Sequence, residues 1–385
     1  MRSQILAGAL VSGTMAARPF LEQPDTGLDL VLGDLGTGEL PKLEQMIGLP
    51  DFEWAAENYL PIENFTYYRA GAGGEWSYRN NLEVFPRYRF KPRTMVDITN
   101  VESTLPTTIL GHNFSAPFFI SPCARAGNAH PDAELNLMKG AAEGDILYMP
   151  ALFASLTIEE IAAAKAKDQV VFQQYQLYLT SNDTETQDLF DRSKKAGADA
   201  LIFTVDSAAD GNRHRAARFG VGSADSDYSY ITWDYYKKLQ KMTDLPIIIK
   251  GIGSVEDAKL AVKYGAPAII ISNHGGRQLD GSPSGLEIAL EIHEEAPEVF
   301  KQIEVYADGG VRYGGDVLKL LALGVKAVGV GRPFMYSNIF GVDGVKKVID
   351  ILKHEISIDA GNLGVPDIQK INPSYVKWKP NGWNS

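Results

Sequence analysis

The chain has 385 residues, 45% of them apolar, and a formal net charge of −11. That length allows one large domain with an N-terminal extension and leaves no room for two further domains of full size. The acidic balance argues against nucleic acid as a partner, because phosphate binding needs a basic surface; a local arginine cluster can still hold a small anion against the global sign. The single cysteine, Cys123, excludes an intrachain disulfide and a cysteine-rich metal site. No apolar run in the body of the chain reaches the roughly 18 residues of a membrane span.

At the N-terminus, Arg2 precedes the apolar run Ile5–Val11, which is followed by the small residues Thr14, Ala16 and Ala17. The pattern predicts a secretory signal over residues 1–17, cleaved near Ala16 or Ala17, and hence a secreted protein. The alternative is a frayed tail or short helix on a cytoplasmic chain. Asn64-Phe-Thr, Asn113-Phe-Ser and Asn182-Asp-Thr are glycosylation sequons, a pattern common by chance. Residues 18–50 are mixed, with glycine, proline and acidic residues, and read as an extension lying over the domain. Residues 51–360 form the domain, and 361–385 a C-terminal tail.

From about residue 116 short apolar runs alternate with amphipathic stretches, the rhythm of βα units around a parallel sheet. Eight runs read as buried strands: Ala116–Pro122, Ile146–Ala151, Val170–Gln176, Ala200–Asp206, Pro246–Gly251, Ala268–His274, Glu304–Gly309 and Ala327–Arg332. Thr157-Ile-Glu-Glu160 and Thr184-Glu-Thr-Gln187 read as capping boxes, and Ser254 as an N-cap. Gly144, Gly197, Gly265 and Gly324 stand where helices should end in a left-handed cap. With a last helix over about 342–357, the pattern predicts an α/β fold, a closed (β/α)8 TIM barrel; an open doubly wound sheet also accommodates eight such units.

Polar residues cluster at the C-terminal ends of these runs: Gln173 and Tyr175, Thr204 and Asp206, Lys250, Ser272 to His274, Asp308, and Gly331-Arg332. A barrel places its active site at that face. A lone histidine is more often a surface or core residue than a catalyst, but His274 stands at a strand end beside Asn273 and Arg277. Asp206 ends another strand and is placed to orient a histidine base and stabilise its imidazolium. Arg277 and Arg213 suit a substrate carboxylate through two-pronged hydrogen bonds, although Arg213 taken alone reads as a charge on a basic loop. Lys250 closes an apolar strand, where an unpaired ammonium is costly, so an anionic partner is expected. Asp308-Gly309-Gly310-Val311-Arg312 and Gly329-Val330-Gly331-Arg332 follow the last two strands, where barrels bind phosphate. Glycines there admit backbone N–H groups to the oxygens, and Arg312 and Arg332 add charge.

These motifs, together with Tyr67-Tyr-Arg-Ala-Gly-Ala72, Ser272-Asn-His-Gly-Gly-Arg-Gln-Leu-Asp280 and Gly331-Arg-Pro333, resemble those of the FMN-dependent 2-hydroxy acid oxidase and dehydrogenase family. That family includes glycolate oxidase, lactate oxidase and the flavin domain of flavocytochrome b2. The resemblance covers about residues 55–355. It implies bound flavin mononucleotide (FMN) and oxidation of a small L-2-hydroxy acid to the 2-oxo acid. It assigns the base to His274 and its carboxylate partner to Asp206. Substrate contacts fall to Arg277, Arg213, Tyr67 and Tyr175. Flavin contacts fall to Pro122, Cys123, Ala124, Gln173, Thr204, Lys250 and Ser272, and ribityl or phosphate contacts to Asp308, Gly309, Gly310, Arg312, Gly331 and Arg332. It further implies a homo-oligomer, often a tetramer in this family.

The chain departs from the family pattern in two places: Ala151 stands where a serine or threonine is common, and the loop Gly220–Tyr230 is short for a lid. Phe153 sits where family members often carry a bulky aromatic that limits substrate size. No haem-binding segment precedes the barrel, and Ala124 replaces glycine beside the flavin. Both features point to oxygen as electron acceptor, with hydrogen peroxide as product, rather than to a cytochrome. A second reading is a catalytically altered FMN barrel or a ligand-binding homologue, since fold alone does not fix function.

Overall fold

The structure is a computed structural model and describes residues 26–176, 183–222 and 230–379. The predicted signal segment lies outside the described residues, as does most of the loop Gly220–Tyr230. The chain forms two compact units, one ending at Asp34 and one covering Leu35–Ser385. The described part of the first carries the short helix Leu28–Leu32. Among the described residues no helix is long and apolar enough to cross a membrane, and no group of three His, Cys, Asp or Glu side chains is placed to hold a metal ion.

The second unit is built on eight parallel strands: β1 Phe118–Ile120, β2 Leu147–Tyr148, β3 Phe172–Gln176, β4 Ala200–Thr204, β5 Ile247–Ile252, β6 Ala268–Ile271, β7 Glu304–Asp308 and β8 Ala327–Val330. Each lies inside, or within one residue of, a run predicted from sequence. Their hydrogen-bonded order is β2-β1-β8-β7-β6-β5-β4-β3, and a parallel bridge between Tyr148 and Val171 closes the circle. The sheet is therefore a barrel and not an open doubly wound sheet. Its strands read as near-continuous apolar runs because both faces are covered. Phe119, Phe172, Ile202, Ile248, Ile270 and Tyr306 fill the interior, and residues such as Leu201, Ile247 and Ile269 are buried as well. The hairpin Thr107–Ile109/His112–Phe114 supplies Ile109 and Phe114 to the same core. It packs there with the strand-opening residues Ala200, Ala268 and Ala327, so it plugs the N-terminal end of the barrel.

Eight helices follow the strands: α1 Glu134–Glu143, α2 Ile158–Ala163, α3 Asp183–Lys195, α4 Trp233–Leu239, α5 Val255–Lys263, α6 Gly285–Glu295, α7 Gly314–Ala322 and α8 Gly341–Leu363. Thr157 caps α2 in the expected box, its hydroxyl accepting from the Glu160 N–H at 3.2 Å. Ser254 caps α5 in the same way. Thr184 is not a cap, because α3 already includes Asp183. Gly144 differs too: its φ is −85°, and the left-handed residue is the neighbouring Asp145 at 49°.

Within the second unit, three α-helices precede the barrel, Leu49–Tyr59, Ile62–Arg69 and Trp76–Arg87. After α8 the chain returns, and Val376–Lys377 pairs with Arg89–Phe90. These helices matter for function because they bring Glu53, Tyr67, Tyr68 and Tyr78 against the polar loops of the barrel.

Candidate active site

The C-terminal strand ends open into a cavity of about 1110 Å3, counting its mouth. Tyr67, Pro122, Cys123, Ala124, Thr204, Arg213, Lys250, His274, Arg277, Asp308, Gly309, Gly310, Arg312, Gly331 and Arg332 line it, as do Ala151 and Phe153. The residues singled out from sequence thus largely converge on one space.

His274 sits just past β6 in a left-handed conformation, φ 57°, with its backbone N–H donating to Ser272 Oγ at 2.9 Å. Its Nδ1 lies 2.7 Å from Asp206 Oδ1. That bond occupies Nδ1 and leaves Nε2 as the ring nitrogen available to the cavity. Asp206 reaches this position because β5 breaks its register at Gly251. Gly251 has φ 105°, and a Cβ there would stand 2.5 Å from Asp206 Cβ; only glycine permits that approach. Burial pushes the Asp206 carboxyl up, but the charges of His274 and Lys250 outweigh it and hold the carboxyl below its ordinary range. For His274, burial lowers the pKa and the charges of Lys250 and Arg213 add to it; together they outweigh the pull of Asp206. The imidazole is therefore neutral at neutral pH, the form in which it accepts a proton.

The buried Lys250 donates to Ser272 Oγ at 3.0 Å and lies 3.4 Å from Asp308 Oδ2. The anionic partner expected for it is thus in part a protein carboxylate. Burial lowers the Lys250 pKa, but Asp308 and Asp206 more than offset this and leave it raised. Arg277 spends one nitrogen, Nη1, on the carbonyls of Tyr67, Tyr68 and Ala70 at 2.8, 3.1 and 3.1 Å, and no carboxylate among the described residues neutralises it. Burial, reinforced by Arg213, pushes its pKa down to about 10. Arg213 Nε donates to the Arg277 backbone carbonyl at 3.1 Å, and both arginines line the cavity. That pair matches a carboxylate ligand.

Two further arginines line the same cavity, Arg332 sharing the Tyr68 and Ala70 carbonyls with Arg277. Arg312 Nη2 lies 3.4 Å from Glu53 Oε2. Arg332 donates to the carbonyls of Tyr68, Gly275 and Ala70 at 2.8, 2.9 and 3.1 Å and stacks on the Tyr78 ring at 4.7 Å, again without a carboxylate among the described residues. A cation held in place by carbonyls and left unneutralised is a ready anion site. In the same cavity, the buried Asp308 Oδ1 has no hydrogen-bond partner among the described residues. That oxygen lacks a donor, as it would where a ligand hydroxyl completes the site. A phosphate on Arg312 and Arg332, a polyol on Asp308 and a flat ring against Pro122–Ala124 therefore suit FMN.

Three sequence assignments are displaced. Gln173 does not line this cavity; its amide donates to the Pro150 carbonyl at 3.3 Å, and it borders a small apolar space behind the sheet. Gln174 lines the active-site cavity instead and donates to Thr204 Oγ1 at 2.9 Å. Tyr175 also faces away: its hydroxyl pairs with Thr186 Oγ1 at 3.0 Å and its ring packs on Phe190 and Phe203. Side chains alternate along a strand, so a slip of one residue exchanges the two faces. Ser272 lies behind Lys250 and His274 and positions both rather than meeting a ligand. Sequence reasoning missed Ser121, Ser207, Gln174, Met335 and the backbone of Tyr68.

The chain matches the model of the family described as FMN-dependent dehydrogenase over residues 56–226 and 223–378. It is similar to the L-lactate dehydrogenase (cytochrome) of Wickerhamomyces anomalus, 36% identical over 87% of this chain but only 62% of that protein. It is also similar to the peroxisomal (S)-2-hydroxyacid oxidase GLO3 of Arabidopsis thaliana, 34% identical over 87% of this chain and 97% of that one. Among solved structures, the flavin-binding domain of baker's yeast flavocytochrome b2 superposes with a TM-score of 0.82 at 35% identity, over 88% of each chain. The chain therefore belongs to the FMN-dependent dehydrogenase family, and its cofactor is FMN.

Proposed function

We propose that this protein oxidises a small L-2-hydroxy acid to the 2-oxo acid, with His274 as the base and oxygen as the final acceptor. The observation that carries the reading is the His274–Asp206 pair at 2.7 Å, whose His274 shares the cavity with two arginines that no carboxylate among the described residues neutralises, Arg277 and Arg332. Arg277 and Arg213 bind the substrate carboxylate and so fix the 2-carbon near His274. His274 Nε2 takes a proton from the substrate, and Asp206 stabilises the imidazolium that forms. When bound, FMN accepts the two electrons; Arg312, Arg332, Asp308 and the 122–124 backbone would hold it. Lys250, charged and buried beside Asp308, favours negative charge arising on a neighbouring group.

Oxygen is favoured by the similarity to a relative named as an oxidase over nearly its whole length, and by Ala124 at the cavity wall. The similarity to a cytochrome-linked lactate dehydrogenase supports the second reading, a protein acceptor. Anaerobic flavin bleaching by lactate, followed by air, separates them: fast recolouring with one peroxide per lactate supports oxygen, and slow recolouring with fast ferricyanide turnover refutes it. His274→Ala should retain FMN and lose bleaching by about 10²–10⁴-fold, the usual worth of a general base; bleaching within tenfold of the parent would refute the base. The N-terminal pattern also supports export, and an intact Met1 on protein from the native host would refute that.

A further inference from the structure

We propose that Arg125 binds a second negative charge on the substrate, so that the preferred 2-hydroxy acid is one whose side chain ends in a carboxylate. This rests on the 2-hydroxy acid reading above and narrows it to a substrate class.

Arg125 follows Ala124, which lines the cavity, and its backbone is pinned on both sides. Its N–H donates to the Phe153 carbonyl at 3.2 Å, and its own carbonyl accepts from the Tyr68 hydroxyl at 2.7 Å. The residue is held at φ 59°, a left-handed conformation that glycine or asparagine adopts more cheaply. A bulky residue in a sparsely populated conformation directly after a cavity-lining residue points to use of its side chain. The guanidinium lies 4.9 Å from the centroid of the Tyr67 ring, and Tyr67 lines the cavity. The same ring carries Arg277 at 5.4 Å.

Among the described residues, no acidic side chain pairs with Arg125 and no hydrogen bond reaches its guanidinium. Stacking on tyrosine weakly stabilises the cation and leaves its donors unused. Arg277 and Arg213 answer the 1-carboxylate. Arg125 is therefore an additional cation, no farther from Arg277 than the two ring distances placed end to end. A chain of four or five carbons with an arginine–carboxylate pair at each end bridges such a gap. The partly exposed Phe153, whose carbonyl holds Arg125, lines the cavity beside it. A planar, two-pronged donor set stacked on a cavity-lining tyrosine fits a carboxylate better than an alcohol or an aromatic group.

The test compares holoenzyme reduction by malate and 2-hydroxyglutarate with reduction by lactate and 2-hydroxybutyrate, in the parent and in Arg125→Met and Arg125→Gly. Methionine keeps the stacking without the charge, and glycine relieves the left-handed backbone, so one of the two folds if the loop tolerates any change. We expect kcat/KM in the parent to favour the dicarboxylates. Both variants should lose about 10–100-fold on dicarboxylates, the worth of a charge-assisted hydrogen-bond pair, and less than threefold on monocarboxylates. Spectral titration of the bound flavin with 2-oxoglutarate and with pyruvate should show the same split without turnover. Equal parent rates for the two classes, or equal losses on both in the variants, would overturn the inference and leave Arg125 as a support for Tyr67. If no 2-hydroxy acid reduces the flavin at all, the oxidation reading itself is refuted and the inference falls with it.

Discussion

Replacing Asp206 by asparagine tests the catalytic pair at its narrowest point. The Asp206 carboxylate meets His274 Nδ1 at 2.7 Å, and its other oxygen has no partner among the described residues, so an isosteric amide fits with little repacking. Two effects then act on the base. The amide can present its NH2 group to Nδ1, which moves the ring proton to Nε2 and blocks proton uptake from the substrate. The negative charge that stabilises the imidazolium also disappears. With charge centres roughly 4 Å apart and an effective dielectric constant of about 20, that attraction is about 4 kcal/mol. A loss of about 4 kcal/mol in the transition state corresponds to roughly 10³-fold in rate.

The assay is anaerobic stopped-flow reduction of the flavin at saturating 2-hydroxy acid over a pH series. The Asp206→Asn protein should retain FMN, since Asp206 lies outside the ring of residues facing the cavity, and should reduce it about 10³-fold more slowly. The direction of the pH effect is fixed as well. Asp206 raises the His274 pKa against burial and the charges of Lys250 and Arg213, so its removal must shift the acid limb of the rate profile to lower pH. A variant within tenfold of the parent and with an unmoved acid limb would refute the pairing as catalytic.

Other outcomes follow from the same geometry. Arg332→Met should weaken FMN binding about 10–100-fold, as loss of charge-assisted phosphate bonds does; fluorescence titration of the apoprotein measures it, and an unchanged Kd would move the phosphate elsewhere. The same variant should leave the apoprotein as stable as the parent or more so, because an unneutralised cation is removed. Gly251→Ala should destabilise the protein by about 2 kcal/mol or more through its positive φ and the clash with Asp206, read as a lowered Tm together with slowed flavin reduction. Burial, helped by Asp359, Asp316 and Asp51, pushes the Glu355 carboxyl up to about 7. An acid whose pKa is raised on folding contributes stability that is full below its unfolded value and lost as pH rises through about 7. Glu355→Gln should therefore gain in Tm over the parent between pH 5 and pH 8, and a Tm difference that does not change with pH would refute the assignment.

The eight strands were legible because a parallel barrel buries both faces of each strand and so writes them as unbroken apolar runs. The strand-end motifs were legible for a related reason: polar residues interrupt those runs only where the barrel opens. The third strand was the weak point. Phe172-Gln-Gln-Tyr-Gln176 offers polar groups to both faces, so hydrophobic alternation does not fix which side is inside. Phe172, the one purely apolar side chain of that strand and part of the barrel core, was the usable signal; it places Gln174 on the inner face and Tyr175 on the outer. Tyr68 fell inside the motif Tyr67–Ala72 without a role of its own, and Glu53 and Tyr78 were not legible at all. They lie on helices before the barrel whose local patterns are those of any amphipathic helix, and their role arises from packing against Arg312 and Arg332 across more than 200 positions of sequence.

The arginines and the base are also coupled to one another. Arg213 and Lys250 bind or face anions, and the same charges depress the His274 pKa, after burial, in the free protein. A substrate carboxylate seated on Arg213 and Arg277 cancels part of that positive field. The depressing effect then shrinks while the attraction of Asp206 is unchanged, so the His274 pKa must rise towards its ordinary value when substrate binds. The acid limb of kcat/KM reports the free enzyme, and that of kcat the complex. We therefore expect the kcat limb at higher pH than the kcat/KM limb, with the gap narrowed in Arg213→Gln because the cancelled charge is already missing. The substrate's own carboxyl titrates well below this range and does not contribute. Coincident limbs in the parent, or a gap that Arg213→Gln leaves intact, would show that the arginine pair is electrostatically isolated from the base and that the carboxylate binds elsewhere.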